Sequence, residues 1–347
     1  MNNQETAQKD VRHNYPLAIR DASISTAFSL FLKTLPYALI RFAILIVVTT
    51  VTIIWGIATI GGAAWIGERV HSLFGLVWLA GGGSIYGYIW YTIVRYGLYI
   101  IKCGHIAVLT DLITNGQIGN GNEGMFDYGK RVISEKFSQV NVLFALDALV
   151  DGVVAAFNGT LDWIGSLLPI PALEGLMKLV KGVLFGASTY IDETIFSYSL
   201  ARGESNPWLG GQEGLIYYCQ NVKEILKTAF YAVLLDKVCT ALLWLVFLAP
   251  ALLLVWLFGG IIGGAALVAS IMCASNARSA FLEPLFLIMV MIRFHVSAEN
   301  QPINLEWDNR LSNISSNFIE IKEKAAAWIA APTTADPSNP TPTEASF

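Results

Sequence analysis

The chain has 347 residues, 54% of them hydrophobic and 14% charged, with a mean hydropathy of +0.55 and a formal net charge of −4. A water-soluble domain carries roughly 25% charged residues, so the composition excludes an ordinary soluble protein and points to an integral membrane protein. The net charge is too small to say anything of partners, and no basic block suggests nucleic acid, so none is expected as a partner.

Residues 1–15 are polar and read as a disordered cytoplasmic tail. They contain no apolar signal-peptide core, so the first spanning helix is expected to direct insertion. Residues 16–114 form a first half. From Leu17 to Ile40 apolar residues mix with Arg20, Asp21 and Lys33, the pattern of a helix lying on a membrane surface. Phe42 to Gly67 is 26 residues without a charge, more than the ~20 that cross a bilayer, and Gly61-Gly62 is expected to mark its far end. Glu68, Arg69 and His71 make a short polar loop. Ser72 to Val94 is a second uncharged span, leaving through Arg95 and Lys102 in a helix that continues to Leu112. The loop at 115–131 contains G-x-G-x-x-G at Gly119, Gly121 and Gly124. A dinucleotide fold needs a strand before those glycines, and none is predicted, so the stretch reads as a flexible loop.

Residues 132–204 are expected to form a central helical hairpin. In its first arm Asp147, Asp151, Asn158 and Asp162 are spaced 4, 7 and 4, one stripe of a helix; in its second, Glu174, Lys178, Lys181, Ser188 and Asp192 repeat the device. Pro169-Ile170-Pro171 breaks the helix between them. An Asp at the centre of a span costs roughly 2.5–3.5 kcal/mol, so the hairpin is open to three placements: re-entrant in the membrane, amphipathic on the cytosolic side, or a true double span. Ionisable residues at membrane depth are functional candidates. Asp147, Asp151, Asp162, Lys178 and Lys181 are therefore the candidate substrate-binding residues, against the plainer reading of carboxylates and lysines paired between the arms or facing water.

Residues 205–295 form a second half. An amphipathic helix is expected from Gly211 through Lys227, and Asp236-Lys237 sits at the mouth of the next span as an interfacial anchor. Val238 to Asn276 carries no charge and divides into spans at 238–258 and 261–277, with glycines at the bend and a kink at Pro250. An exit helix follows with Arg278, Glu283 and Arg293; Arg278 and Glu283 stand five apart, which does not align on an α-helix. Residues 296–330 are a cytoplasmic linker and amphipathic helix. There Leu311, Ile314, Phe318, Ile321, Ala325 and Trp328 repeat at 3, 4, 3, 4 and 3, a seam for packing on the same chain or for a homo-oligomer through 311–328. Residues 331–347 read as a disordered tail.

Phe31–Leu39 and Ile225–Val233 share five identities in nine at an offset of 194, and each precedes a charge-poor helical pair. The fold class expected is thus an all-α polytopic membrane protein with two similar halves flanking the central hairpin. Of the 22 Lys and Arg residues, only Arg69 falls between paired spans, so the positive-inside rule places both termini in the cytoplasm, as in a multi-pass protein of the cell membrane. Scattered Cys103, Cys219, Cys239 and Cys273 form no C-x-x-C pair, and no nucleophile–base or metal motif occurs, so no catalytic residue, metal or cofactor is expected.

Leu235-Asp236-Lys237-Val238, with the long apolar span and the small-residue span after it, resembles the C-terminal membrane region of choline transporter-like proteins over about residues 190 to 295. The resemblance implies a helical membrane protein that passes a small organic cation. The expected function is a transporter- or channel-like protein for a small polar solute, cationic if the carboxylates bind it, with the lipid bilayer as its surroundings. The alternative is a non-transporting scaffold or assembly protein acting through its cytoplasmic face.

Overall fold

The computed structural model describes residues 11–135, 137–159, 190–203 and 205–330. Among them every regular element is helical, apart from an isolated bridge between Val11 and Pro302. In chain order the helices are α1 (Ile24–Lys33), α2 (Leu35–Arg69), α3 (Ser72–Thr114), α4 (Met125–Glu135), α5 (Phe137–Gly159), α6 (Ile191–Arg202), α7 (Pro207–Gln220), α8 (Val222–Phe258), α9 (260–298), α10 (Leu305–Ile314) and α11 (Ser316–Ala330). Two of them contain one wide π turn each: Trp90–Val94 in α3 and Arg278–Leu282 in α9.

Four helices, α2, α3, α8 and α9, are long and apolar enough to cross a membrane. They form two hairpins, α2–α3 and α8–α9. The outer reaches of both hairpins are apolar and exposed: Val47, Ile54, Trp65 and Val77 on the first, Leu245, Val246 and Leu253 on the second, with Trp256 80% exposed. Contiguous apolar exposure on this scale is unusual for a surface that faces water.

Within the first hairpin, α2 runs through Gly61-Gly62 to Arg69, where the sequence suggested an end. Those glycines serve close approach. The Trp78 indole lies where a Cβ on Gly62 would go, and Gly75 lies against the Ala63 carbonyl and Gly67. The hairpin is further tied by the Trp55 indole N–H, which donates to the Gly82 carbonyl at 3.0 Å, and by a 2.6 Å hydrogen bond between the Thr52 and Tyr86 hydroxyls. The second hairpin turns at Gly259 and Gly260, whose φ values of +54° and +50° are open to glycine with little strain. Pro250 is carried inside α8, which continues past it for two turns. The two hairpins touch near their bases: Asn276 donates to Thr49 Oγ1 at 2.7 Å, and the Phe42 and Phe281 rings lie 5.2 Å apart.

The opposite ends of α3, α8 and α9 enter a helical domain with a dense core. Leu109 and Ile113 of α3, Leu226 of α8, Ile292 and Phe294 of α9, Tyr198 of α6, Tyr217 of α7 and Phe318 of α11 are all fully buried there. Ahead of α1, residues 11–22 form a strap across this domain rather than the start of a surface helix. Ala18 N–H donates to the Ile113 and Thr114 carbonyls, Arg12 N–H donates to the Tyr217 hydroxyl at 3.0 Å, and Arg20 pairs with Glu299. His13 is buried with the strap, and loss of hydration pushes its imidazole down to about 4. The helix expected from Leu17 begins only at Ile24, with Ser23 Oγ accepting the Thr26 N–H as its cap.

Three further stretches supply the rest of the domain. The helix predicted from Gly211 through Lys227 is two helices that break at Asn221, so Lys223 and Lys227 open α8. The seam at 311–328 is interrupted at Ser315, which is extended, and Leu311, Phe318, Ile321 and Ala325 are buried in this chain's own core. The first arm of the central hairpin, seen here as α5, lays Leu146, Val150, Val153, Val154 and Phe157 into that core and packs on α7 and α11. The turn at Pro169-Ile170-Pro171 and the second arm lie outside the described residues.

Candidate functional site

At the bases of the two hairpins, where α3, α8 and α9 enter the domain, lies a cavity of about 310 Å³. Five helices contribute to its wall: Arg41 from α2, Lys102 and His105 from α3, Glu193 from the first turn of α6 with Tyr190 just before it, Asp236 and Lys237 from α8, and Arg278 and Glu283 from α9. Four basic and three acidic side chains thus face a space bounded on its other sides by Ile106, Leu109, Val233 and Leu287.

Most of these charges are paired. Asp236 is 1% exposed and accepts from Arg278 Nη2 at 2.8 Å and Nε at 3.3 Å. Arg278 Nη1 also donates to Glu283 Oε1 at 3.1 Å. Glu283 Oε2 accepts from Arg41 Nη2 at 3.1 Å and from Ser279 Oγ at 2.9 Å, and Arg41 Nη2 reaches Ser279 Oγ at 2.9 Å. One carboxylate therefore ties α2 to α9 while one guanidinium ties α9 to α8. Lys102 pairs with Glu193 Oε1 on the far wall.

The π turn explains how this network closes. Residues five apart diverge on an α-helix, but in the π turn the Glu283 N–H bonds back to the Arg278 carbonyl, an i→i+5 link that brings the two side chains onto one face. The pairing of Arg278 with Glu283 is thus a consequence of the wide turn. Acidic residues at the start of α6 suit the positive end of that helix, which helps hold Glu193 at the wall. Burial pushes the neighbouring Tyr190 phenol up, so it presents a neutral hydroxyl.

Two polar atoms in this network are left over. Glu193 Oε2 and Arg41 Nε are buried and have no hydrogen-bond partner among the described residues. Glu193 is 7% exposed. Leaving such atoms unmade costs more than a made hydrogen bond returns, about 1–3 kcal/mol each and more when charged.

A second polar chain runs through the domain. Tyr15 hydroxyl and His295 Nδ1 are 2.7 Å apart, His295 Nε2 and Ser197 Oγ 2.9 Å, and Ser197 Oγ and Thr110 Oγ1 2.8 Å. The order Ser–His–Tyr has the connectivity of an activated nucleophile. Ser197 and His295 are fully buried, however, and the adjoining cavity of about 310 Å³ is walled by Tyr15, Thr110 and Asp111 instead. This chain satisfies buried polar groups of the strap, α3, α6 and α9. A third cavity, of about 810 Å³, lies between α2 and α3 and is almost wholly apolar, with Trp55, Trp78, Gly81 and Gly82 among its walls.

Of the residues singled out in the sequence, Asp147 lies on α5. Asp151 lies on the exposed side of that helix, away from its core-facing residues. Asp162, Lys178 and Lys181 lie outside the described residues. Asp236 and Lys237 are at the cavity: Lys237 is exposed at its rim, whereas Asp236 is buried in the ion network. Arg41, Lys102 and Glu193 are widely separated in sequence and carry no local pattern that would have joined them. Among the described residues no group of three His, Cys, Asp or Glu side chains could hold a metal ion.

Comparison of the chain with protein-family models, with curated proteins and with solved structures finds no match.

Proposed function

We propose that this is a four-span membrane protein whose work is done by the helical domain on the cytoplasmic side, as a scaffold or assembly protein. The observation that carries this reading is the character of the hairpins beyond their charged bases. From Phe42 to Gly67, Ser72 to Val94, Val238 to Phe258 and Gly260 to Ala277 no side chain is ionisable, apart from the phenols of Tyr86, Tyr88 and Tyr91 and the thiols of Cys239 and Cys273. At 1.5 Å per residue these stretches are about 27 to 39 Å long, matched to a hydrocarbon layer of about 30 Å. A transport pathway is expected to place its site near the bilayer midplane, between packed repeats. Here the charged groups gather at one boundary, and the spans expose their large apolar side chains instead of enclosing a lumen.

The membrane, the cytoplasmic placement of the domain and the two-halves layout belong to this proposal. The second is supported by the basic residues at the bases, Arg41, Arg95, Lys237 and Arg278, facing the excess of Lys and Arg in the domain. The third is supported by the hairpins' shared plan: a long helix, a tight turn, and a returning helix with a π turn just before or at its basic residue.

Passage of a small polar solute is the second reading, favoured by one observation: the charged cavity with its two unsatisfied atoms. Purified protein reconstituted in liposomes separates the two. The scaffold reading expects solute release and ion conductance equal to those of empty liposomes for alanine, choline and potassium. A protein-dependent flux that is lost in Glu193→Gln would establish passage instead.

A further inference from the structure

The cavity at the hairpin bases has a chemical demand that its own walls do not meet. Glu193 Oε2 is a buried acceptor without a donor, and Arg41 Nε is a buried donor without an acceptor; both residues line this cavity. Lys237 stands at the rim with no ion pair among the described residues. One wall therefore asks for an N–H or O–H group and another for an anion. Of the remaining charges, Lys102 holds the other oxygen of Glu193, and Asp236, Arg278 and Glu283 are paired with one another and, through Glu283, with Arg41.

We propose that this cavity is a binding site for a small zwitterionic group, an anion carried next to an ammonium, with Arg41 and Lys237 taking the anion and Glu193 taking the ammonium. A volume of about 310 Å³ accommodates a group of the size of phosphoethanolamine. The ammonium must bear N–H bonds, because Glu193 Oε2 lacks a donor; a trimethylated ammonium offers none. The anion is best matched by a phosphate, since a guanidinium edge and a lysine recognise phosphate oxygens well. Two sources supply this chemistry: the headgroup of a phosphatidylethanolamine in the adjoining leaflet, or a free phosphoethanolamine-like zwitterion. The site stands whether the protein is a scaffold or passes a solute.

The test uses the full chain and two kinds of probe. For the lipid source, protein is extracted from nanodiscs of equal phosphatidylethanolamine and phosphatidylglycerol, and bound lipid is read by native mass spectrometry. For the free source, delipidated protein in detergent is titrated calorimetrically with O-phosphoethanolamine, O-phosphocholine and inorganic phosphate. The expected result is retention of phosphatidylethanolamine over phosphatidylglycerol, or binding of O-phosphoethanolamine at least fivefold tighter than either control; which arm responds identifies the source. Glu193→Gln should remove the preference for the primary ammonium, and Lys237→Gln should weaken binding about tenfold. Lys237→Gln removes only an exposed side chain and serves if Glu193→Gln is lost to misfolding. Equal binding of O-phosphoethanolamine and inorganic phosphate, no binding in either arm, or a Lys237→Gln protein that binds like the parent would overturn the proposal.

Discussion

Asp236 shows how a single carboxylate can hold an architecture. It is buried, accepts two hydrogen bonds from Arg278 and a third, at 3.4 Å, from Thr240, and so fixes α9 against α8 at the level where both leave the domain. Breaking a fully buried ion pair costs about 3–5 kcal/mol; Arg278 is partly exposed and keeps Glu283, so losing the Asp236 charge costs less than that. Asp236→Asn should therefore lower the thermal midpoint of the detergent-solubilised protein by several degrees, whereas Lys237→Gln next to it should leave the midpoint within a degree of the parent. Equal effects at the two positions, read by intrinsic fluorescence, would mean that Asp236 is not a structural clamp. The sequence marks the Asp-Lys pair plainly, because two charges interrupt an apolar run. It does not reveal that the two side chains differ in role, since that depends on which of them faces Arg278, 42 residues away.

At the scale of elements, the two long hairpins were legible because uninterrupted apolar runs of this length have few other uses. Their ends were less so. Gly61-Gly62 carries the composition of a helix end but serves as a contact for Trp78, a use that only the packed partner helix discloses. The five-residue spacing of Arg278 and Glu283 looked unproductive on an α-helical wheel, and the π turn makes it a pair. The period of 311–328 was likewise visible, though what it packs against was not. Phe318 is fully buried against its own chain. Phe318→Ala is expected to cost about 3–5 kcal/mol, seen as a lower thermal midpoint, with no change in particle mass by light scattering. A halved mass with an unchanged midpoint would assign the seam to a partner subunit.

For the molecule as a whole, an exposed apolar pair of hairpins stands on a buried-core helical domain, and a belt of charge marks the line between them. The candidate site drawn from the sequence centred on the carboxylate stripe of the central hairpin. In the structure α5 turns its apolar face, Leu146 to Phe157, into the domain core and leaves Asp151 exposed. A stripe of Asp residues in an apolar stretch has the same pattern whether the helix lies in a membrane or coats a protein core, and only the neighbouring surface distinguishes them. The cavity that does gather charge draws on five helices from Arg41 to Glu283, a long-range convergence that no local spacing encodes. The most direct measurement of the central claim is cysteine accessibility in intact cells, in a Cys239→Ala, Cys273→Ala background. The account predicts that Glu68→Cys, at the tip of the first hairpin, reacts with an impermeant maleimide added outside, while Asn120→Cys, in the domain loop, reacts only after the membrane is permeabilised. Labelling of Asn120→Cys from outside, or protection of Glu68→Cys with labelling only after permeabilisation, would contradict it.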